Sequence, residues 1–246
     1  MKRLLSLLIL LGIIIGLAFY LSLPTQEGLR SLGEFYLESS YFGDYSAKSP
    51  EVVTSILWDY RGVDTLFETA VFFLAIIGSL TIFRIEGKKE RAEAKSSLPL
   101  PVPVVTKFIA TLILAISASI ALHGQLTPGG GFQGGVALAV APLLIIAAYS
   151  KYALENNGLD KTKAIILRSI GLLGIALIAL IPLLSGGHIM QNQPIFPAEA
   201  LGVPLGGSLI YYNIFEFLAV GAGFTAVFLL LAIPEEEFKE KGGACE

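Results

Sequence analysis

A single cysteine, Cys245, and two histidines are all the thiol and imidazole that 246 residues contain. One thiol cannot close an internal disulfide, and it cannot supply the clustered thiolates of an iron–sulfur or structural zinc site. The sequence therefore calls for no cofactor and no metal of its own, and redox chemistry must belong to another chain. Charge is scarce as well: 15% of residues are charged, against about a quarter in ordinary soluble domains. The net charge of −3 is small, and the basic residues sit in short connecting segments rather than in a patch mixed with aromatics. That excludes a nucleic-acid surface. No catalytic constellation stands out, so the chain is not expected to be an enzyme on its own; any turnover would belong to a complex containing it.

What the sequence does hold is apolar length. Hydrophobic residues make up 54% of the chain, the mean hydropathy is +0.72, and the apolar residues come in unbroken runs rather than in alternation. Runs of this kind read as membrane helices and not as barrel strands. Six spans are expected, over 4–23, 64–83, 104–123, 131–149, 164–184 and 210–233, each near the ~20 residues a tilted helix needs. The first is longer than the apolar core of a signal peptide and is read as a retained helix.

Lys and Arg fix an orientation. Lys2, Arg3, Arg84, Lys88, Lys89, Arg91, Lys95, Lys151, Lys161, Lys163, Lys239 and Lys241 all fall on one side of the six spans, and the positive-inside rule makes that side cytoplasmic. The expected fold is thus all-α, multi-pass in the cell membrane, with both termini cytoplasmic. The charged stretch "IEGKKERAEAKSS" and the prolines after it suggest a joint. Four parts follow: a two-helix module over 1–84, a linker over 85–103, a four-helix module over 104–236 and a polar tail over 237–246.

Ionisable residues inside apolar spans are costly and often mark ion paths or proton relays. In "LWDYRGVDTLFETAVFF", Asp59 and Arg61 lead into the second span, and Arg61, Asp64, Thr65 and Glu68 recur at helical spacing. They form a polar stripe, either pairing as Arg61–Asp64 or Arg61–Glu68 to pin the helix, or offering Asp64 and Glu68 to a cation. In "YYNIFEFLAVGAGF", Tyr212 and Asn213 share a face with Glu216, which lies roughly 9 Å below the helix start at 1.5 Å per residue. Glu216 is either a neutral, hydrogen-bonded carboxyl or a second ion-path group lining one cavity with Glu68. Lys107 either snorkels to the headgroups or relays protons. His123 and His188 are placed at span ends, where a hydrogen-bonded cap explains each better than haem ligation.

The glycine-rich stretch "LTPGGGFQGG" opens the fourth span. It lacks the Lys-Ser/Thr of a phosphate loop. Gly130, Gly131, Gly134 and Gly135 instead make a small-residue face for a close backbone neighbour. Irregular backbone at membrane depth must be covered by protein, so this end is expected to be buried against companion subunits.

The stretch "HGQLTPGGGFQGGVALAVAPLLI" resembles the B subunit of Mrp-type multisubunit cation/proton antiporters, over about 104–236. Pro128, Gly129, Gly130, Gly131, Phe132, Gly134 and Gly135 match the family pattern, whereas His123-Gly124-Gln125 stands where Gly-His-Asn is usual. Separately, "LWDYRGVDTLFETAVFFLAIIG" resembles the region near the carboxyl end of the antiporter A subunit, through Asp59, Arg61, Gly62, Asp64, Thr65 and Glu68. In archaeal membrane-bound hydrogenases and sulfane reductases the matching region is a small separate subunit. The resemblance implies a membrane subunit of a respiratory, complex I-related assembly. Its partners would be larger antiporter-like subunits and lipid, and its transported ions sodium and protons. A purely structural spacer between those subunits is the alternative.

Overall fold

The computed structural model describes residues 2–22, 28, 30–43, 46–82, 98–99 and 101–232, with side chains from residue 9 onward. Most of the expected linker, the polar tail and Cys245 lie outside the described residues. Two compact units emerge, Met1–Phe35 and Tyr36–Glu246. The first holds α1 (Lys2–Ser22), and the division falls within α2 (Ser31–Phe42).

The second unit is a helical bundle. A short helix α3 (Val52–Ser55) runs into a π-helical turn, Ile56–Tyr60. The long helices α4 (Gly62–Ile82), α5 (Pro101–Leu122) and α6 (Gly131–Tyr149) follow. A short α7 (Lys151–Asn156) leads to α8 (Lys161–Leu184), a two-residue hairpin of β1 (Glu199–Ala200) and β2 (Val203–Pro204), and α9 (Leu209–Leu231).

Five helices, α4, α5, α6, α8 and α9, are long and apolar enough to cross a membrane. They start and stop within three residues of the expected spans. Lipid dictates this much, since a spanning backbone must satisfy all its polar groups internally. Local chemistry sets the ends. Pro101 and Pro103 occupy the first turn of α5, where an N–H would have no partner anyway. Asp160 caps α8 by accepting from Lys163 N at 2.8 Å. The expectation left α2, α3, the π turn and α7 unassigned, because short helices carry no long apolar signal.

α9 is the centre of the unit, packed on α6 and α8 and more lightly on α4 and α5. Glycines make the approach possible. A Cβ at Gly135 would stand 2.7 Å from Val220 Cβ, and one at Gly171 would stand 2.7 Å from Ala219 N. Gly134 faces α5 instead, where a Cβ would lie 2.8 Å from Ser117 O. The glycine face expected to meet companion subunits is therefore buried by this chain's own α5 and α9. Its sequence shows that a backbone comes close without showing whose, and the cover here is internal.

Candidate functional site

The loop between α5 and α6 brings the amino end of α6 against α9. Gly130 has φ +144°, a conformation that favours glycine, and it aims the first N–H groups of α6 at α9. Gly131 N donates to Asn213 Oδ1 at 3.2 Å, and Phe132 N donates to Glu216 Oε2 at 3.0 Å. Two donors that every helix start leaves without an intrahelical partner are satisfied from another helix. The partial positive charge of that helix end favours a carboxylate beside it. A Cβ at Gly131 would come 2.7 Å from Glu216 Cβ, so this arrangement needs the missing side chain.

Glu216 is 8% exposed and lines a cavity of ≈ 260 Å³ together with Glu68, Asn213, Gln133, Thr65 and Thr69. The apolar wall is Trp58, Phe72, Phe132 and Val220. Thr65 is buried and donates to Leu57 O at 2.6 Å, across the π turn. That bond ties α4 to the segment before it.

A second recess, ≈ 530 Å³, lies beside the π turn and is lined by Asp59, Arg61, Asp64, His188 and 189–193. Burial pushes the Asp59 carboxyl up to about 6, and a hydrogen bond with Asn192 partly offsets the shift. At its rim Arg61 and Asp64 pair at 2.6 Å, both exposed.

The expected polar stripe is thus divided. Arg61 and Asp64 pair with each other in the larger recess, while Thr65 and Glu68 line the smaller cavity with Glu216. The division follows from position on α4: Asp64 is in its first turn, by the recess, and Glu68 lies one turn, about 6 Å, farther along, by the cavity. Arg61 itself precedes α4 in a non-helical conformation, φ −125° and ψ 30°. Lys107 is not brought to either carboxylate. It lies 15 residues before the end of α5, roughly 22 Å at 1.5 Å per residue, with Nζ 5.8 Å over the Tyr149 ring. His123 places Nδ1 2.9 Å from Ser119 O, and His188 donates its backbone N–H to Gln191 at 2.8 Å. Both read as local capping contacts. Pro128 and Phe132 are exposed, and Gly129 and Gly130 line the carboxylate cavity. Among the described residues no cluster of three or more His, Cys, Asp or Glu stands ready to hold a metal.

Sequence reasoning missed Arg168. It lies seven residues into α8, only 3% exposed, donating to Phe73 O and stacked 4.0 Å over the Phe73 ring. An arginine inside an apolar run was the available signal. It also missed Gln125 and Asn192, both buried, for which loop residues offer no periodic clue.

A family model for a domain related to the MnhB subunit of Na+/H+ antiporters matches residues 101–226. The chain belongs to this family. An uncharacterized protein of Methanocaldococcus jannaschii is 32% identical to this MnhB-related chain over 211 residues, covering 74% of this chain and 77% of that one. The Na(+)/H(+) antiporter subunit A1 of Staphylococcus haemolyticus is 36% identical over 87 residues, which is 35% of this chain and 10% of that protein. Among solved structures, a chain of the membrane-bound sulfane sulfur reductase, an archaeal respiratory membrane complex, superposes with a TM-score of 0.69 at 26% identity, covering 94% of this chain and 98% of that one. A chain of the Mrp complex from Dietzia sp. DQ12-45-1b shares the fold, with a TM-score of 0.65 at 20% identity, 94% of this chain and 26% of that one.

The resemblance to the antiporter B and A subunits expected from the motifs therefore holds. The all-α, multi-pass membrane fold holds with it. This MnhB-related chain is a membrane subunit related to the Mrp antiporter and to a respiratory membrane complex.

Proposed function

We propose that this subunit contributes a cation or proton station to an Mrp-like translocating module, with Glu216 and Glu68 as the exchanging groups. The observation that carries the reading is that two carboxylates from α9 and α4 line one cavity beside the amino end of α6. Carboxylate oxygens suit a hard cation, and a carboxyl in such a place can also carry a proton. Asp64 takes a lesser part, paired at the rim with Arg61. Lys107, set apart along α5, serves at the headgroups.

The host is a respiratory assembly of the sulfane reductase or membrane-bound hydrogenase type, in which this chain contacts other membrane subunits and lipid, and sodium and protons are the transported ions. The similarity of the chain to one such subunit over nearly its whole length supports this. The similarity to both antiporter subunits supports a joint of an A-like part, 1–84, and a B-like part, 104–236, at the linker. The basic residues of the connecting segments support cytoplasmic termini.

A specific observation favours a second reading, a spacer without an ion path: Glu216 and Asn213 already serve as caps for α6. Glu216→Gln separates the two, because the amide oxygen still accepts from Phe132 N while the charge is gone. In inverted vesicles holding the assembled complex, the station reading expects Glu216→Gln and Glu68→Gln each to slow sodium uptake severalfold. Wild-type rates in both variants leave the spacer.

A further inference from the structure

A run of close contacts, some hydrogen-bonded and some van der Waals, leads from the recess at Asp59 toward the carboxylate cavity. Asp59 and Asn192 line the recess together. Asn192 accepts from Ser208 N at 2.8 Å and donates to Gly206 O at 3.2 Å. Gly206 lies against Gln125, where a Cβ would stand 3.0 Å from Gln125 Cβ. The next residue along, Gly124, abuts Asn213, with a Cβ position 2.8 Å from Asn213 Nδ2. Asn213 in turn holds Gly131, which touches Glu216.

Three side-chain atoms on this run, Gln125 Oε1, Ser208 Oγ and Asn213 Nδ2, and a fourth on the neighbouring residue, Tyr212 OH, are buried with no hydrogen-bond partner among the described residues. None of these four residues is more than 2% exposed. Buried polar groups are as a rule paired with protein or with ordered water, and leaving one unpaired is costly. Four unpaired atoms on residues along and beside this run call for an occupant that can both donate and accept. Water does so, making about three hydrogen bonds per buried molecule. Tyr212 is held in place by stacking on Trp58, the residue before Asp59, with centroids 4.5 Å apart and planes 6° from parallel.

We propose that water fills this seam and carries protons between Asp59 in the recess and Glu216 in the cavity. The proposal rests on the reading of Glu216 as an exchanging group. Asn213 Nδ2 presents hydrogens to the seam, and Gln125 Oε1, Ser208 Oγ and Tyr212 OH present oxygens. A water file accepts those hydrogens readily. One proton leaves the Asp59 carboxyl for the first water, each O–H bond broken along the file is replaced by one formed on the next oxygen, and one proton reaches the Glu216 carboxylate. No oxidant or reductant takes part. The charged and titratable groups around Asp59 are Tyr60, Arg61, Asp64 and His188 in the recess and Tyr212 behind it.

Two measurements on the assembled complex test this, in a background where Cys245 is replaced by serine. The first is labelling by methanethiosulfonate ethylammonium, which attacks the thiolate and so needs a wet site. Ser208→Cys is expected to react about tenfold faster than Ala226→Cys, at an equally buried apolar residue of α9. Equal rates overturn the seam. The second is proton uptake by inverted vesicles. Tyr212→Phe removes only the hydroxyl and keeps the stack on Trp58, and it is expected to lower proton uptake severalfold. If it transports protons at the wild-type rate, the seam is not the route. Glu216→Gln in the same assay separates the two claims: loss there with normal Tyr212→Phe rates removes the seam and keeps the carboxylate, and normal rates in both remove both. Should Tyr212→Phe fail to assemble, the labelling result decides.

Discussion

Phe132 N donates to Glu216 Oε2 at 3.0 Å, joining the first turn of α6 to the second turn of α9. This bond explains why a glycine-rich loop opens a membrane helix. The glycines remove the side chains that would hold the two helices apart, and the freed N–H groups meet Asn213 and Glu216.

Gly131→Ala tests that explanation. The added methyl would meet Glu216 Cβ at 2.7 Å and also the backbone of Asn213. Overpacking of this kind costs typically about 1–3 kcal/mol. The complex should melt at lower temperature, whereas Gly78→Ala, with open space around its Cβ position, should leave the melting temperature unchanged or raised. Equal effects at both positions would show that α6 and α9 are less tightly joined.

Asp59→Asn should alter how stability depends on pH. Burial raises the folded-state pKa of Asp59 from 3.8 to about 6, so between those values the folded chain binds more protons than the unfolded one. Its contribution therefore favours folding at the acid end of the window and is lost as pH rises through about 6. Melting curves across this range should show a steeper fall with rising pH in the wild type than in Asp59→Asn. Parallel curves would place Asp59 in bulk solvent.

Arg168→Met should leave thermal stability unchanged or improve it. The guanidinium is buried against Phe73 and forms no salt bridge among the described residues. An apolar side chain of similar volume often replaces a buried charge without loss. A marked drop in melting temperature would reveal a carboxylate that meets Arg168 in the assembled complex.

Arg61→Ala should barely change stability, because its pair with Asp64 is exposed on both sides. Equivalent melting curves are expected for the wild type and the variant. A clear loss would mean that another subunit buries the pair.

The spans were legible in the sequence because lipid leaves few choices: twenty apolar residues, internally hydrogen-bonded, with polar residues at the ends. Glu216 was legible too, since a carboxylate two turns into an apolar helix needs a reason. Its partner was not. Nothing in the order of residues says that Phe132, 84 positions away, will lend it an N–H, because that pairing depends on how α6 and α9 cross. The glycine face was read correctly as a close-packing surface and wrongly as one meant for another subunit. The stripe from Arg61 to Glu68 divided because Asp64 in the first turn of α4 borders one recess while Glu68, a turn farther along, borders the other, a placement that spacing alone does not show. Arg168 escaped notice among twenty-four helical residues otherwise rich in Leu and Ile.

Carbodiimide modification of Glu216, followed by mass spectrometry of the intact complex with and without sodium, tests the central claim most directly. If the cavity between α4, α6 and α9 takes up the cation, sodium should protect Glu216 in the wild type, and Glu68→Gln should weaken that protection. Modification at the same rate with and without sodium would contradict it and leave Glu216 as a helix cap alone.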